Sequence, residues 1–143
     1  MDDKGRTSLP AAFREELLSL APDEKLLVIT QGFPDKCLWC QPPAAWTEFA
    51  KAVRAKPQFK PEIRTLMRAF VAPAQPCAFD KLGRILIPQS LRDYAGLQGE
   101  VVWSGFVDRI ELWNAETWKK QNDEILSKPP DEALLKALGE LGL

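Results

Sequence analysis

An Asp four residues ahead of an Arg, with Gly directly before that Arg, occurs twice in this chain: Asp2-Asp3-Lys4-Gly5-Arg6 and Asp80-Lys81-Leu82-Gly83-Arg84. The pattern has a chemical sense on a tight turn. Gly5 and Gly83 permit positive φ, so the chain can reverse sharply there. Asp2 and Asp80 can then accept backbone N–H bonds across the turn and restrain the guanidinium, as organisers rather than contacts. Arg6 and Arg84 become planar donor forks at a sheet edge, suited to guanine O6 and N7 or to phosphate. Lys4 and Lys81, on the same turns, add attraction for phosphate with little base information. A single such motif is more simply a salt bridge that pins a hairpin. Two copies in register point instead to a contact surface.

The repeat extends beyond the motif. Residues 2–14 align without a gap on residues 80–92 at a constant offset of 78, with Asp, Gly, Arg, Pro and the closing Arg recurring. Such a duplication decides how the rest of the chain is parsed. In the second copy residues 75–79 read as a strand, residues 81–83 as a turn and residues 85–87 as a β-branched second strand. Pro88 opens a short helix where its missing N–H costs nothing, and Gly96 ends it in the left-handed conformation. Residues 100–104 and 109–113 make a hairpin around Gly105-Phe106-Val107-Asp108. The first copy repeats this with a strand over 7–9, a Pro10-started helix over 11–20, and strands 26–31 and 37–41 around Gly32-Phe33-Pro34-Asp35.

Only Met1 precedes the first motif. Module 1 is therefore expected to lack the strand that residues 75–79 supply to module 2, leaving an uncovered sheet edge and a less firmly held Arg6. Between the copies, Trp46, Phe49, Ala50 and Val53 and then Ile63, Leu66, Met67 and Phe70 fall at helical spacing, separated by Pro57 and Pro61. Helices over 116–126 and 131–141 follow the second copy, the last carrying Leu134, Leu138 and Leu141. These stripes are expected to be core and subunit-interface faces rather than cofactor pockets. Arg14 and Arg92, on the short helices, are expected to be ion-paired surface residues.

The bulk properties narrow the chemistry. The 143 residues carry no histidine, which removes the commonest general base and metal ligand and every Ser-His or Cys-His pair. No enzyme activity, cofactor or metal is expected. Cys37 and Cys40 have C-x-x-C spacing, but on a strand positions i and i+3 point to opposite faces, so they read as small half-buried strand residues. The net charge of −1 divides into +1 up to Asn114 and −2 beyond it, so any phosphate contact must come from a local cluster or from several subunits. No apolar run approaches membrane-spanning length and the first residues are acidic, so a cytoplasmic protein is expected.

The doubled D-x-x-G-R, the run from Gly83 to Leu97 and the Trp-bearing helices resemble the MraZ family of bacterial transcriptional regulators. The resemblance implies an α+β fold, a double-ψ-like swapped-hairpin β-barrel of the SpoVT/AbrB type formed by two tandem repeats with flanking helices. It divides the chain into module 1 (1–47), a helical connection (48–73), module 2 (74–117) and C-terminal helices (118–143). The implied function is a nucleoid-associated, sequence-specific repressor of the division and cell-wall gene cluster. Its implied partners are double-stranded DNA carrying promoter direct repeats and further copies of itself in a ring, with no membrane partner. By position the family's D-x-x-x-R residues fall on Asp2 and Arg6, then on Asp80 and Arg84. Two rivals are an AbrB-type antitoxin and a structural ring protein whose Asp–Arg pairs only pin turns.

Overall fold

The two motif strands meet each other. In the computed structural model, which describes residues 1–20, 23 and 25–143, β1 (Arg6–Ser8) lies antiparallel to β5 (Arg84–Leu86) as a two-stranded ribbon. Thr7 pairs with Ile85, its own counterpart in the repeat, while Arg6 pairs with Leu86 and Ser8 with Arg84. An approximate twofold therefore passes through the Thr7–Ile85 pair and relates the two modules. Because side chains alternate along a strand, Thr7 and Ile85 turn inward and are buried, and Arg6, Ser8, Arg84 and Leu86 share the outer face. The strands lie one residue earlier than the sequence suggests, since the hydrogen-bonded ladder begins at the arginines themselves.

Each ribbon strand leads into a helix behind a proline: α1 (Ala11–Leu20) after Pro10 and α4 (Gln89–Ala95) after Pro88. Gly96, at φ 61°, ends α4 in the left-handed conformation, as expected. The remaining strands are β2 (Leu26–Gln31), β3 (Leu38–Gln41), β4 (Gln75–Ala78), β6 (Val101–Phe106) and β7 (Arg109–Asn114). They form one antiparallel sheet in the order β4-β2-β3-β7-β6. β4, from the second copy, pairs with β2 of the first, and β3 pairs with β7, so the modules interlock rather than sit side by side. β6 is an edge of the sheet as described, and the place beside it corresponds, under the twofold, to that of β4 beside β2.

Two hairpins that correspond in the repeat, with Pro34 in one where the other has Val107, close differently. β6 continues through Gly105 and Phe106, which pair with Ile110 and Arg109, so only Val107 and Asp108 remain in the turn. The expected four-residue turn is thus a two-residue one, with Arg109 stacked on Phe106 at 4.2 Å. In the first copy the loop from Gly32 to Cys37 stays open, closed by Gly32 N–H donating to the Cys37 carbonyl at 2.8 Å.

The core lies between the ribbon, α1, α4 and one face of the sheet. Leu9, Leu27, Ile29, Leu38, Ile85, Ile87, Leu91 and Leu112 are buried there, each contributing about 1.5–3 kcal/mol relative to exposure. The other face of β2 is covered too. Val28 is buried, and the Thr30 hydroxyl donates to the Phe70 carbonyl at 2.6 Å. The connection consists of α2 (Pro43–Arg54) and α3 (Pro61–Leu66), which runs into a π-helical turn over Met67–Val71 that buries Phe70. Phe70 stacks on Trp39 at 4.9 Å. α5 (Ala115–Ser127) and α6 (Glu132–Glu140) start on side-chain caps from Asn114 and Asp131. Neither buries a residue, so their apolar stripes are not part of the core: Ile125, Leu126, Leu134, Leu135 and Leu141 are exposed.

Candidate nucleic-acid interface

Both motif turns are wired alike. Asp2 Oδ1 accepts the backbone N–H groups of Lys4 (3.0 Å) and Arg6 (2.8 Å), while Oδ2 accepts Arg6 Nε–H at 2.7 Å. Asp80 does the same for Leu82 (2.9 Å), Arg84 (2.9 Å) and Arg84 Nε–H (2.8 Å). Backbone bonds from Asp2 N–H to the Arg6 carbonyl and from Asp80 N–H to the Arg84 carbonyl close each loop. Gly5 and Gly83 take φ of 86° and 76°, the left-handed values that the sharp reversal needs. Donation from the Arg6 backbone, and then from its side chain, holds the Asp2 carboxyl down at about 2, and Asp80 is lowered for the same reason.

The consequence falls on the guanidinium. Nε is spent on the aspartate, which fixes the plane of the fork and leaves the terminal N–H groups without a protein partner among the described residues. Arg6 and Arg84 are equally accessible, their side chains 31% and 32% exposed. The sequence predicts a less firmly held arginine in module 1. The structure corrects this, because every bond that restrains Arg6 comes from within its own turn and none from a preceding strand.

Arg6 and Arg84 are diagonal neighbours on the outer face of the ribbon, about 7–8 Å apart by the geometry of an antiparallel pair. A two-stranded ribbon is narrow enough to enter the major groove of B-DNA, where paired terminal N–H donors match guanine O6 and N7. Lys4 and Lys81 sit exposed on the two turns. They are not counterparts: Lys4 matches Leu82 and Lys81 matches Asp3.

Arg14 and Arg92 depart from expectation. Among the described residues neither forms an ion pair within 4 Å. Each reaches across to the other module: a Cβ on Gly5 would collide with the Arg92 guanidinium, and one on Gly83 with that of Arg14. The closing Arg of the repeat is the signal in the sequence, but a helix position gives no hint of which turn it covers.

The thiols lie away from this face. Cys40 and Cys77 are in the core, whereas Cys37 donates to Glu111 at 3.1 Å. Burial pushes Cys40 well above the ordinary thiol range and Cys77 up to about 11, and burial with the neighbouring Glu111 raises Cys37 further. Among the described residues, no cluster of three or more His, Cys, Asp or Glu is placed to hold a metal ion. No helix there is long and apolar enough to cross a membrane.

These features define a duplicated α+β module that displays an ordered arginine ribbon. Residues 1–69 and 70–138 each match the profile of the family described as "MraZ protein, putative antitoxin-like". A Caldicellulosiruptor saccharolyticus protein named transcriptional regulator MraZ is 40% identical over 144 residues, covering 100% of this chain and 94% of its own length. Its namesake in Halothermothrix orenii is 40% identical over 143 residues with the same coverage. The one in Alkalilimnicola ehrlichii is 34% identical over 143 residues, again covering 100% and 94%. The chain belongs to the MraZ family of transcriptional regulators.

Proposed function

We propose that the chain is a sequence-specific DNA-binding regulator that inserts the β1–β5 ribbon into the major groove. Arg6 and Arg84 read bases there, and Lys4 and Lys81 attract the adjoining phosphates. The observation that carries this reading is the bonding of the two arginines: Nε is fixed by the aspartate while the terminal donors, on one shared face, have no partner among the described residues. A purely structural Asp–Arg pair has no need of two copies aligned on the same outer surface.

The finer reading has the two modules forming one swapped-hairpin barrel of the AbrB type, supported by the exchange of β4 onto β2 and of β1 onto β5. The chain then assembles into a ring, for which the exposed apolar residues of α5 and α6 provide uncovered surface. Few charges per ribbon mean weak binding by one subunit. A ring that sets several ribbons on one duplex face turns later contacts into intramolecular ones and gains ~10²–10⁴ in avidity. Direct repeats suit subunits related by rotation in this way. The target is then the promoter region of a division and cell-wall gene cluster, which the protein represses.

Anisotropy titration of Arg84→Ala and Arg6→Ala against the protein's own upstream DNA tests the reading. Removing either base reader is expected to cost about 1–3 kcal/mol per engaged site and to relax the preference for that DNA over a scrambled duplex. Mutants that bind as the wild type does, at unchanged salt dependence, would leave the aspartate–arginine pairs as turn fasteners in a structural ring. Sedimentation of the same samples reports the assembly separately.

A further inference from the structure

We propose that Arg14 and Arg92 are a second pair of DNA contacts, each holding a backbone phosphate beside the motif turn of the opposite module. The proposal rests on reading the ribbon as the DNA interface, and it assigns the part of that interface that touches no base. Three observations support it. The first is placement: Arg92 lies against Gly5 and Arg14 against Gly83, close enough that a Cβ on either glycine would strike the guanidinium. Since each turn lies just outside its own motif arginine, the four run along the ribbon in the order Arg92, Arg6, Arg84, Arg14. The outer two therefore lie beyond the ribbon ends, where the walls of an occupied groove present phosphates.

The second observation is what these guanidiniums lack. Both side chains are half-buried, yet neither has a carboxylate within 4 Å among the described residues. Arg92 Nε is enclosed and has no hydrogen-bond partner among the described residues. A half-buried cation without a counter-charge is costly unless a ligand supplies one, and phosphate takes two parallel N–H donors from a single guanidinium. The Asp2 and Asp80 carboxylates of those turns direct their oxygens to their own loops instead. The third observation is recurrence, because the arrangement appears once at each end of the ribbon, related by the same twofold and offset as the motifs.

The test uses the full chain carrying Arg14→Gln or Arg92→Gln, and the charge-keeping Arg14→Lys and Arg92→Lys. Binding is measured by anisotropy between 50 and 200 mM salt, as a practical range, on the upstream duplex and on a random-sequence duplex of equal length. Each Gln variant is expected to weaken both duplexes by the same factor. The slope of log affinity against log salt should become shallower by about 0.9 for each phosphate no longer neutralised. The Lys variants should recover most of that slope at unchanged thermal stability. Unchanged affinity and slope in the Gln variants overturns the proposal. So does a loss confined to the upstream duplex, which would make these residues base readers. So too does a loss that Lys fails to repair and that tracks a lower melting temperature, which would make them packing braces only. If the wild type binds the two duplexes equally, the base-reading role of Arg6 and Arg84 fails while the phosphate contacts are still measured on random DNA. If it binds neither, both readings fall.

Discussion

In the first motif turn Asp2 gathers the N–H groups of Lys4 and Arg6 and the Nε of Arg6; in the second, Asp80 gathers the equivalent set to within 0.1 Å. What surrounds them is not equal. The first turn carries Asp3 and Lys4 between its ends, the second Lys81 and Leu82, so the second is one unit more positive. Thr7 and Ser8 follow Arg6, whereas Ile85 and the exposed Leu86 follow Arg84. Strand β4 leads towards the second turn and pairs with β2. The geometry of the motif is therefore local and survives a change of context. Its charge, and hence its attraction for phosphate, is not shared between the copies.

Replacing the motif glycines gives the largest test of that equivalence. Gly5→Ala and Gly83→Ala each force a side chain into a left-handed φ and against an arginine of the other module. Each is expected to cost about 1–3 kcal/mol in chemical denaturation. Similar losses support two equal turns; a much larger loss at Gly83 would show that its context stabilises it after all. A smaller effect is expected from Asp3→Lys, which gives the first turn the second one's basic residue. Affinity for random-sequence DNA should rise a few-fold at low salt and fade as salt screens it. No gain would mean that the first turn stays clear of phosphate.

Acid provides the smallest effect. Both motif carboxyls sit below their unfolded values, near 3.9, and Asp2 lies at about 2. A depressed carboxyl contributes stability that is fully present above the unfolded pKa and is lost as pH falls through the folded one. The turn at Asp2 should therefore stay closed at pH 4 and loosen towards pH 2, and the turn at Asp80 should likewise loosen only below the ordinary carboxylate range, followed by the amide resonances of Arg6 and Arg84. Opening of one turn a full pH unit before the other would break the equivalence.

Much of this arrangement is legible in the chain itself. The gapless repeat locates both turns, both Pro-started helices and the glycine at the end of α4, because those features depend on backbone rules acting over a few residues. The core helices α2 and α3 follow from apolar spacing for the same reason. Other features cannot be reached that way. The hairpins around Gly32 and Gly105 share Gly, Phe and Asp, yet one closes on two residues while the other, with Pro34 in place of Val107, stays open. The stripes of α5 and α6 have the spacing of core helices, but periodicity does not say whether a partner face exists within one chain.

Sequence by itself determined that an aspartate would restrain an arginine on a tight turn, twice, since that contact closes within five residues. Only the tertiary structure decided that the two arginines share one face, because the pairing of Thr7 with Ile85 joins strands 78 residues apart. It also decided that Arg92 lies against the turn of Gly5 and Arg14 against that of Gly83. A repeat shows which residues are equivalent, but whether equivalents act in their own module or across the twofold depends on how the chain crosses over. Here the crossing is made by backbone hydrogen bonds and buried aliphatic side chains that no local pattern specifies.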